Sequence, residues 1–132
     1  MNRITGNIIN IQVDGRLSLV KVQAKSSVFT TIIIDTPETV EYLKINHSIQ
    51  LLFKETEVIL ARGTDISISL QNRLIGKVSV LETGKLLSKV QLNTEFGAIS
   101  AIITTNAVQQ LALKVGATVV AMIKTNEIML SE

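Results

Sequence analysis

Shifted against itself by about seventy residues, the sequence lines up without a gap to its C-terminus, and this duplication limits the fold more than any other feature. Asn2-Arg3-Ile4-Thr5-Gly6 falls on Asn72-Arg73-Leu74-Ile75-Gly76, Val20 on Val90, Ile32-Ile33 on Ile102-Ile103, and Leu43-Lys44 on Leu113-Lys114. Lys54 falls on Lys124, Glu57 on Glu127 and Leu60 on Leu130. Roughly a dozen identities over about sixty positions, in one register with matched apolar sites, imply a tandem duplication. The units are residues 1–62 and 72–132, with a joining segment over 63–71. A core built from about sixty residues is marginal, so each unit should lean on the other or on further copies of the chain.

Hydrophobic periodicity gives each unit short strands and one small helix. Ile9, Ile11 and Val13 alternate with polar residues up to a turn at Asp14-Gly15. Val20, Val22 and Ala24 alternate on a returning strand, and Val28 to Ile34 is a β-branched run suited to partial burial. Thr36-Pro37-Glu38 predicts a helix start: Thr36 can cap, Pro37 at the first helical position loses no needed donor, and Glu38 suits the positive end. Ile49, Leu51 and Phe53 resume the alternation, and Glu57 to Ala61 is a last short strand. In the second unit Thr83-Gly84 replaces the first turn, Asn106 falls on Thr36 as a helix cap, and Val119, Ala121 and Ile123 repeat the strand. Gly116 falls on Asn46, and these two residue types best tolerate a left-handed helix exit. The expected class is all-β with one short helix per unit, arranged as two tandem OB-like small β-barrels. Ile66, Ile68 and Leu70 alternate with Asp65, Ser67 and Ser69, so Arg62 to Leu70 is expected to be a strand that pairs with the other unit.

Composition excludes several functions. No apolar run approaches membrane-spanning length, and Met1-Asn2-Arg3-Ile4-Thr5 lacks the apolar stretch of a signal peptide, so no membrane partner and a cytoplasmic location are expected. There is no cysteine, hence no disulfide or thiolate metal site. Net charge is +2 and the aromatics are Phe29, Tyr42, Phe53 and Phe96. Single-strand binders need basic grooves with stacking rings, which disfavours nucleic acid. His47 is the sole histidine and is read as a surface residue, and no nucleophile–base spacing stands out, so no enzyme and no catalytic residue is expected. With 46% hydrophobic residues in so small a chain, much apolar surface should enter interfaces.

Ser69-Leu70-Gln71-Asn72-Arg73-Leu74-Ile75-Gly76 resembles the Ser-Ala-Arg-Asn-x-Leu-x-Gly opening of the Mop or TOBE family of molybdate- and tungstate-binding domains. Ala101-Ile102-Ile103-Thr104, Leu111-Ala112-Leu113-Lys114-Val115-Gly116 and Ala121-Met122-Ile123-Lys124 resemble its later motifs, and the closest likeness is to its tandem, di-Mop form. The resemblance implies a tetrahedral oxyanion held where domains meet, by backbone amides, a Ser and Arg of the opening motif, a Ser at the helix start and a Lys of the last strand. A dry dianion needs several converging donors and positive charge. On that pattern the oxyanion-binding residues would be Lys124, Ser69, Asn72, Arg73, Lys54 and Gln71, with molybdate or tungstate as ligand and no metal held directly by side chains. The site departs from the family: Gln71 stands at the arginine position, with Arg73 on the same strand face as a substitute, and Ala107 and Pro37 stand at the helix-start serine. The first unit has only Met1 ahead of Asn2.

Two functions follow from the resemblance. One is a cytoplasmic oxyanion-binding protein for storage, buffering or homeostasis, assembled as a homo-oligomer, by family pattern a trimer. The other is a degenerate di-Mop that has lost the ligand and serves as a structural or interaction module. Losing one bond to a charged group costs about 1.5–3 kcal/mol, which is why Gln71 and Ala107 matter to the choice.

Overall fold

In a computed structural model that describes residues 1–63 and 65–132, strands β1 (Asn2–Asp14), β2 (Leu17–Ala24), β3 (Ser27–Ile33) and β4 (Ser48–Phe53) form the first unit. Strands β6 (Asn72–Thr83), β7 (Leu87–Thr94), β8 (Gly97–Thr104) and β9 (Thr118–Ile123) repeat them. The two remaining strands are exchanged. β5 (Ile59–Arg62) lies antiparallel to β9, and β10 (Met129–Ser131) lies antiparallel to β4. The sheets therefore run β10-β4-β1-β2-β3 and β5-β9-β6-β7-β8, each completed by the other unit's tail. The all-β, OB-like pair of barrels expected from the sequence is what forms, around one continuous core that takes in Ile4, Phe29, Leu51 and Phe53 together with Leu74, Leu92, Ile99 and Ile123.

Both long first strands carry the same irregularity. β1 shifts register against β2 between Ile8 and Asn10, and β6 shifts against β7 between Val78 and Val80. The extra residue of a bulge leaves the ladder and turns outward. Hence the inward face of β1 is Asn2, Ile4, Gly6 and Ile8, while Ile9 is exposed, correcting the alternation expected for it. Ile11, opposite buried Val20, is half-buried, and Val13 runs past the edge of the core. Gly6 is required where β1 crosses β2: a Cβ there would lie 2.6 Å from the Gln23 carbonyl oxygen and 2.7 Å from a Val22 methyl. Gly76 occupies the same place in the second unit, with 3.1 Å to the Asn93 carbonyl oxygen.

Among the described residues only the second unit forms an α-helix, α1 (Thr105–Gln110). Its cap is Thr104, whose hydroxyl accepts the Ala107 N–H at 3.1 Å, so Asn106 lies inside the helix and is not the cap. In the first unit the expected helix reduces to a single turn, with Thr39 and Val40 N–H groups both donating to the Thr36 carbonyl. The residues explain this. Thr39 and Val40 are β-branched, and the Thr39 hydroxyl accepts the Thr36 N–H at 2.8 Å and competes with helical bonding, whereas α1 carries Ala107, Gln109 and Gln110. The left-handed exits stand as expected, Asn46 at φ 70° and Gly116 at φ 93°. Their N–H groups donate to the equivalent Ile8 and Val78 carbonyls at 2.7 and 2.8 Å.

The joint differs from expectation. The strand that locks the units is β5, and none of the described residues from Gly63 to Leu70 is in a strand; Thr64 of that segment lies outside the described residues. Among the described residues no helix is long and apolar enough to cross a membrane.

Candidate oxyanion site at the seam between units

Each unit's central ladder stops at an asparagine. Asn2 pairs with Phe53 at the end of β1–β4, and Asn72 pairs with Ile123 at the end of β6–β9. The next residues are Lys54 and Lys124, both exposed and extended, at φ −75°, ψ 149° and φ −68°, ψ 146°. Each leads a single 3₁₀ turn, Glu55–Glu57 and Thr125–Glu127, closed by a 3.0 Å bond from the glutamate N–H to the lysine carbonyl. These turns carry the chain across to the other unit: Glu55–Glu57 packs on β8, and Thr125–Glu127 packs on β3. The two lysines thus stand at equivalent places on the seam. Carried one residue further, the β6–β9 register sets Gln71 opposite Lys124.

The asparagines face inward and clamp the seam. Asn72 is fully buried; its Oδ1 accepts the Thr30 N–H at 2.7 Å and its Nδ2 donates to the Thr30 carbonyl at 2.8 Å. Asn2 does the same to Ser100, at 2.9 and 2.8 Å. Thr30 and Ser100 are themselves equivalent positions, so each unit's opening asparagine closes two backbone groups on the other unit's third strand. Beside them the hydroxyl of buried Thr31 donates to the Ile128 carbonyl at 2.7 Å, with the Thr125 carbonyl at 3.1 Å.

Arg73, expected to point at the anion, is turned to the joint. Its Nε donates to the Leu70 carbonyl at 2.8 Å, Nη1 to Ile66 at 2.6 Å and Nη2 to Ile68 at 2.7 Å. One guanidinium therefore gathers the carbonyls of the segment that carries Ser69. Ser69 and Gln71 are exposed, and among the described residues no hydrogen bond engages either side chain or the ammonium of Lys54 or Lys124. Of the six residues, Lys124, Gln71 and Asn72 cluster at one ladder end, Arg73 shapes the neighbouring loop with Ser69, and Lys54 stands at the other ladder end.

A third contact joins the units at their hairpin tips. Ser26 donates from Oγ and N to the Glu95 carboxylate, at 2.6 and 3.2 Å to Oε1, and Lys25 reaches the Glu95 carbonyl. The hydrogen bonds from Ser26 hold the Glu95 carboxyl below the ordinary glutamate range. Phe29 and Phe96 meet edge to face, with ring centroids 5.4 Å apart. A cleft of about 300 Å³ between these tips and β6 is lined by Ser26, Arg73, Ile75, Glu95 and Phe96.

Sequence reasoning missed the roles of Asn2 and Thr31. The signal for Asn2 was present: it is a polar residue in phase with Ile4 and Ile8, repeated as Asn72 in phase with Leu74 and Val78. Nothing in the sequence marks Thr31, since Ala101 is its counterpart. His47 is half-buried, its backbone carbonyl accepting the Ile8 N–H at 3.0 Å.

This strand order, two barrels trading their last strands, can be matched to known proteins. The TOBE domain model matches residues 68–130. Molybdenum-pterin-binding protein 1 of Clostridium pasteurianum is 38% identical over 66 residues, 49% of this chain and 97% of that protein. The chain belongs to the TOBE family, in its tandem Mop form. Its whole architecture recurs in the cytoplasmic molybdate-binding protein ModG, solved with molybdate bound, at a TM-score of 0.91 over 98% of this chain and 94% of that one. Sequence identity to ModG is 23%, so that likeness establishes the fold of the tandem Mop and nothing finer. A molybdate-binding protein from Sporomusa ovata, 27% identical, covers 51% of this chain and all of its own, with a TM-score of 0.49.

Proposed function

We propose that this tandem Mop protein binds a tetrahedral oxyanion, molybdate or tungstate, at the seam where its units meet, and that it stores or buffers the anion in the cytoplasm and catalyses no reaction. The observation that carries the reading is family membership through a relative named for molybdenum-pterin binding, aligned over 97% of its length. The seam supports it. Lys124 brings an exposed cation to a ladder end where Gln71 offers an amide and where Ser69 stands on the adjoining loop. In this reading Lys124, Gln71 and Ser69 touch the anion, Lys54 marks the duplicated site, and Asn72 and Arg73 act by holding the other unit and the Ser69 loop in place.

Residues 1–62 and 72–132 are the duplicated units in this reading, joined by 63–71. Further copies of the chain complete the assembly, as a trimer. Large apolar side chains are exposed at equivalent positions in both units, Leu17 with Leu87, Ile45 with Val115 and Ile59 with Met129, a pattern suited to a repeated contact.

The rival is a module that kept the fold and lost the ligand. It is favoured by Gln71 at the position where the family has arginine, and by the commitment of three Arg73 nitrogens to loop carbonyls. Calorimetric titration of anion-free protein with molybdate, with sulfate and phosphate as controls, separates the two. Micromolar or tighter binding of molybdate that Lys124→Ala removes, with the fold intact, is the expected result. No heat with any oxyanion from folded protein would leave the module.

A further inference from the structure

Two stretches of chain run out of the β6–β9 ladder end, one through Gln71 and one through Lys124, and strand β3 of the other unit grips both. The Thr30 backbone holds the first through Asn72. The next residue, Thr31, is 1% exposed and holds the second: its hydroxyl donates to the Ile128 carbonyl at 2.7 Å, with the Thr125 carbonyl at 3.1 Å. A hydroxyl has a single proton, so the two carbonyls share it and the shorter bond dominates. Those carbonyls bracket the 3₁₀ turn that follows Lys124.

The equivalent end of β1–β4 is gripped on one side only. The Ser100 backbone holds Asn2, but the next residue of β8 is Ala101, whose methyl group offers no hydrogen bond. The turn after Lys54 closes on itself, with the Val58 N–H donating to the Glu55 carbonyl at a long 3.4 Å. In the second half the counterpart of that acceptor, the Thr125 carbonyl, faces the Thr31 hydroxyl across the seam. A bond within a turn moves with the turn, whereas a bond to a buried strand of the other unit fixes the turn against its surroundings.

Resting on the oxyanion reading above, we propose that Thr31 is a positioning residue for the anion bound at Lys124. It is buried and acts through the backbone of the turn, holding the chain at Lys124 in register with the chain at Gln71, which Thr30 holds through Asn72. The affinity of a site scales with the fraction of molecules in which its donors already stand in the binding geometry. A hydroxyl supplied by the first unit therefore sets how well the second unit's ladder end receives its ligand, and the anion is bound by the pair of units together.

The test titrates the full-length protein with molybdate by calorimetry and records thermal midpoints beside it. Thr31→Val keeps the shape of the side chain and removes the hydroxyl, and it is expected to weaken molybdate binding about three- to tenfold, the range open to one neutral hydrogen bond. Thr31→Ser keeps the hydroxyl and is expected to restore wild-type affinity. Gly6→Ala, which destabilises through a clash of β1 with β2 inside the first unit, is expected to lower the midpoint and leave the affinity unchanged. The inference is overturned, and the oxyanion reading left standing, if Thr31→Val loses no more affinity than Gly6→Ala, or if Thr31→Ser binds as weakly as Thr31→Val. Absence of binding in wild type, folded by circular dichroism, overturns the oxyanion reading and the inference with it.

Discussion

Replacing Asn72 with alanine removes the central clamp between the units and exposes the arithmetic of the seam. Asn72 is 0% exposed and closes both polar groups of Thr30, itself 7% exposed, at 2.7 and 2.8 Å. A buried backbone donor or acceptor left without a partner costs about 1–3 kcal/mol, so two orphans cost roughly 2–6 kcal/mol before relaxation. Relaxation and water entry recover part of this, and about 3 kcal/mol is the expected loss. At an unfolding entropy of about 2.1 cal/mol/K per residue, a 132-residue chain loses about 10 °C of thermal midpoint. Urea unfolding followed by circular dichroism, with the midpoint by calorimetry, measures both. Asn72→Asp is the isosteric control, because it keeps the acceptor for the Thr30 N–H and sets an oxygen against the Thr30 carbonyl. Burial raises the folded-state pKa of that carboxyl, so the variant should be least stable above that value and should recover as pH falls through it. A loss under about 1 kcal/mol for Asn72→Ala would refute the clamp, since that is the low end for even one orphaned group. So would a large drop in molybdate affinity with stability unchanged, which is the signature of a direct ligand.

Gly6→Ala should destabilise by about 1–3 kcal/mol, because its Cβ would meet the Gln23 carbonyl oxygen at 2.6 Å, and Gly76→Ala should cost less at 3.1 Å from the Asn93 carbonyl oxygen; paired urea unfolding curves give the ranking. Arg73→Met keeps the apolar stem and removes three donors, so limited proteolysis should cut residues 65–70 faster than in wild type while the strand circular dichroism is unchanged. The lowered pKa of Glu95 implies a stabilising contribution that is complete above the ordinary glutamate value of about 4.3 and is lost as pH falls through the lower folded-state value. Ser26→Ala should flatten that acid limb in a pH series of thermal midpoints, and an unchanged limb would mean the hairpin-tip bond carries no linkage.

The sequence by itself determined the duplication, the all-β class and most inward faces, because a tandem repeat with two-residue alternation admits few other folds. It determined Lys54 and Lys124 as equivalent strand-end cations, and Asn46 and Gly116 as equivalent left-handed exits, since each follows from residue type at a repeated place. The first unit's helix failed because capping signals at Thr36 and Pro37 say where a helix can start, while Thr39 and Val40 decide whether it continues. Only the tertiary structure decided which sheet each tail joins. Leu60 and Leu130 carry the same apolar signal at the same repeat position, so local pattern cannot distinguish a strand returning to its own unit from one crossing to the other. The 3₁₀ turns after Lys54 and Lys124 break that degeneracy by directing the chain across the seam, where β5 and β10 find an open sheet edge. The same crossing sets Asn72 against Thr30 and turns a residue with the look of a ligand into a clamp. Side-chain partners separated by 42 residues in the chain are fixed by packing, and no periodicity along the sequence encodes them.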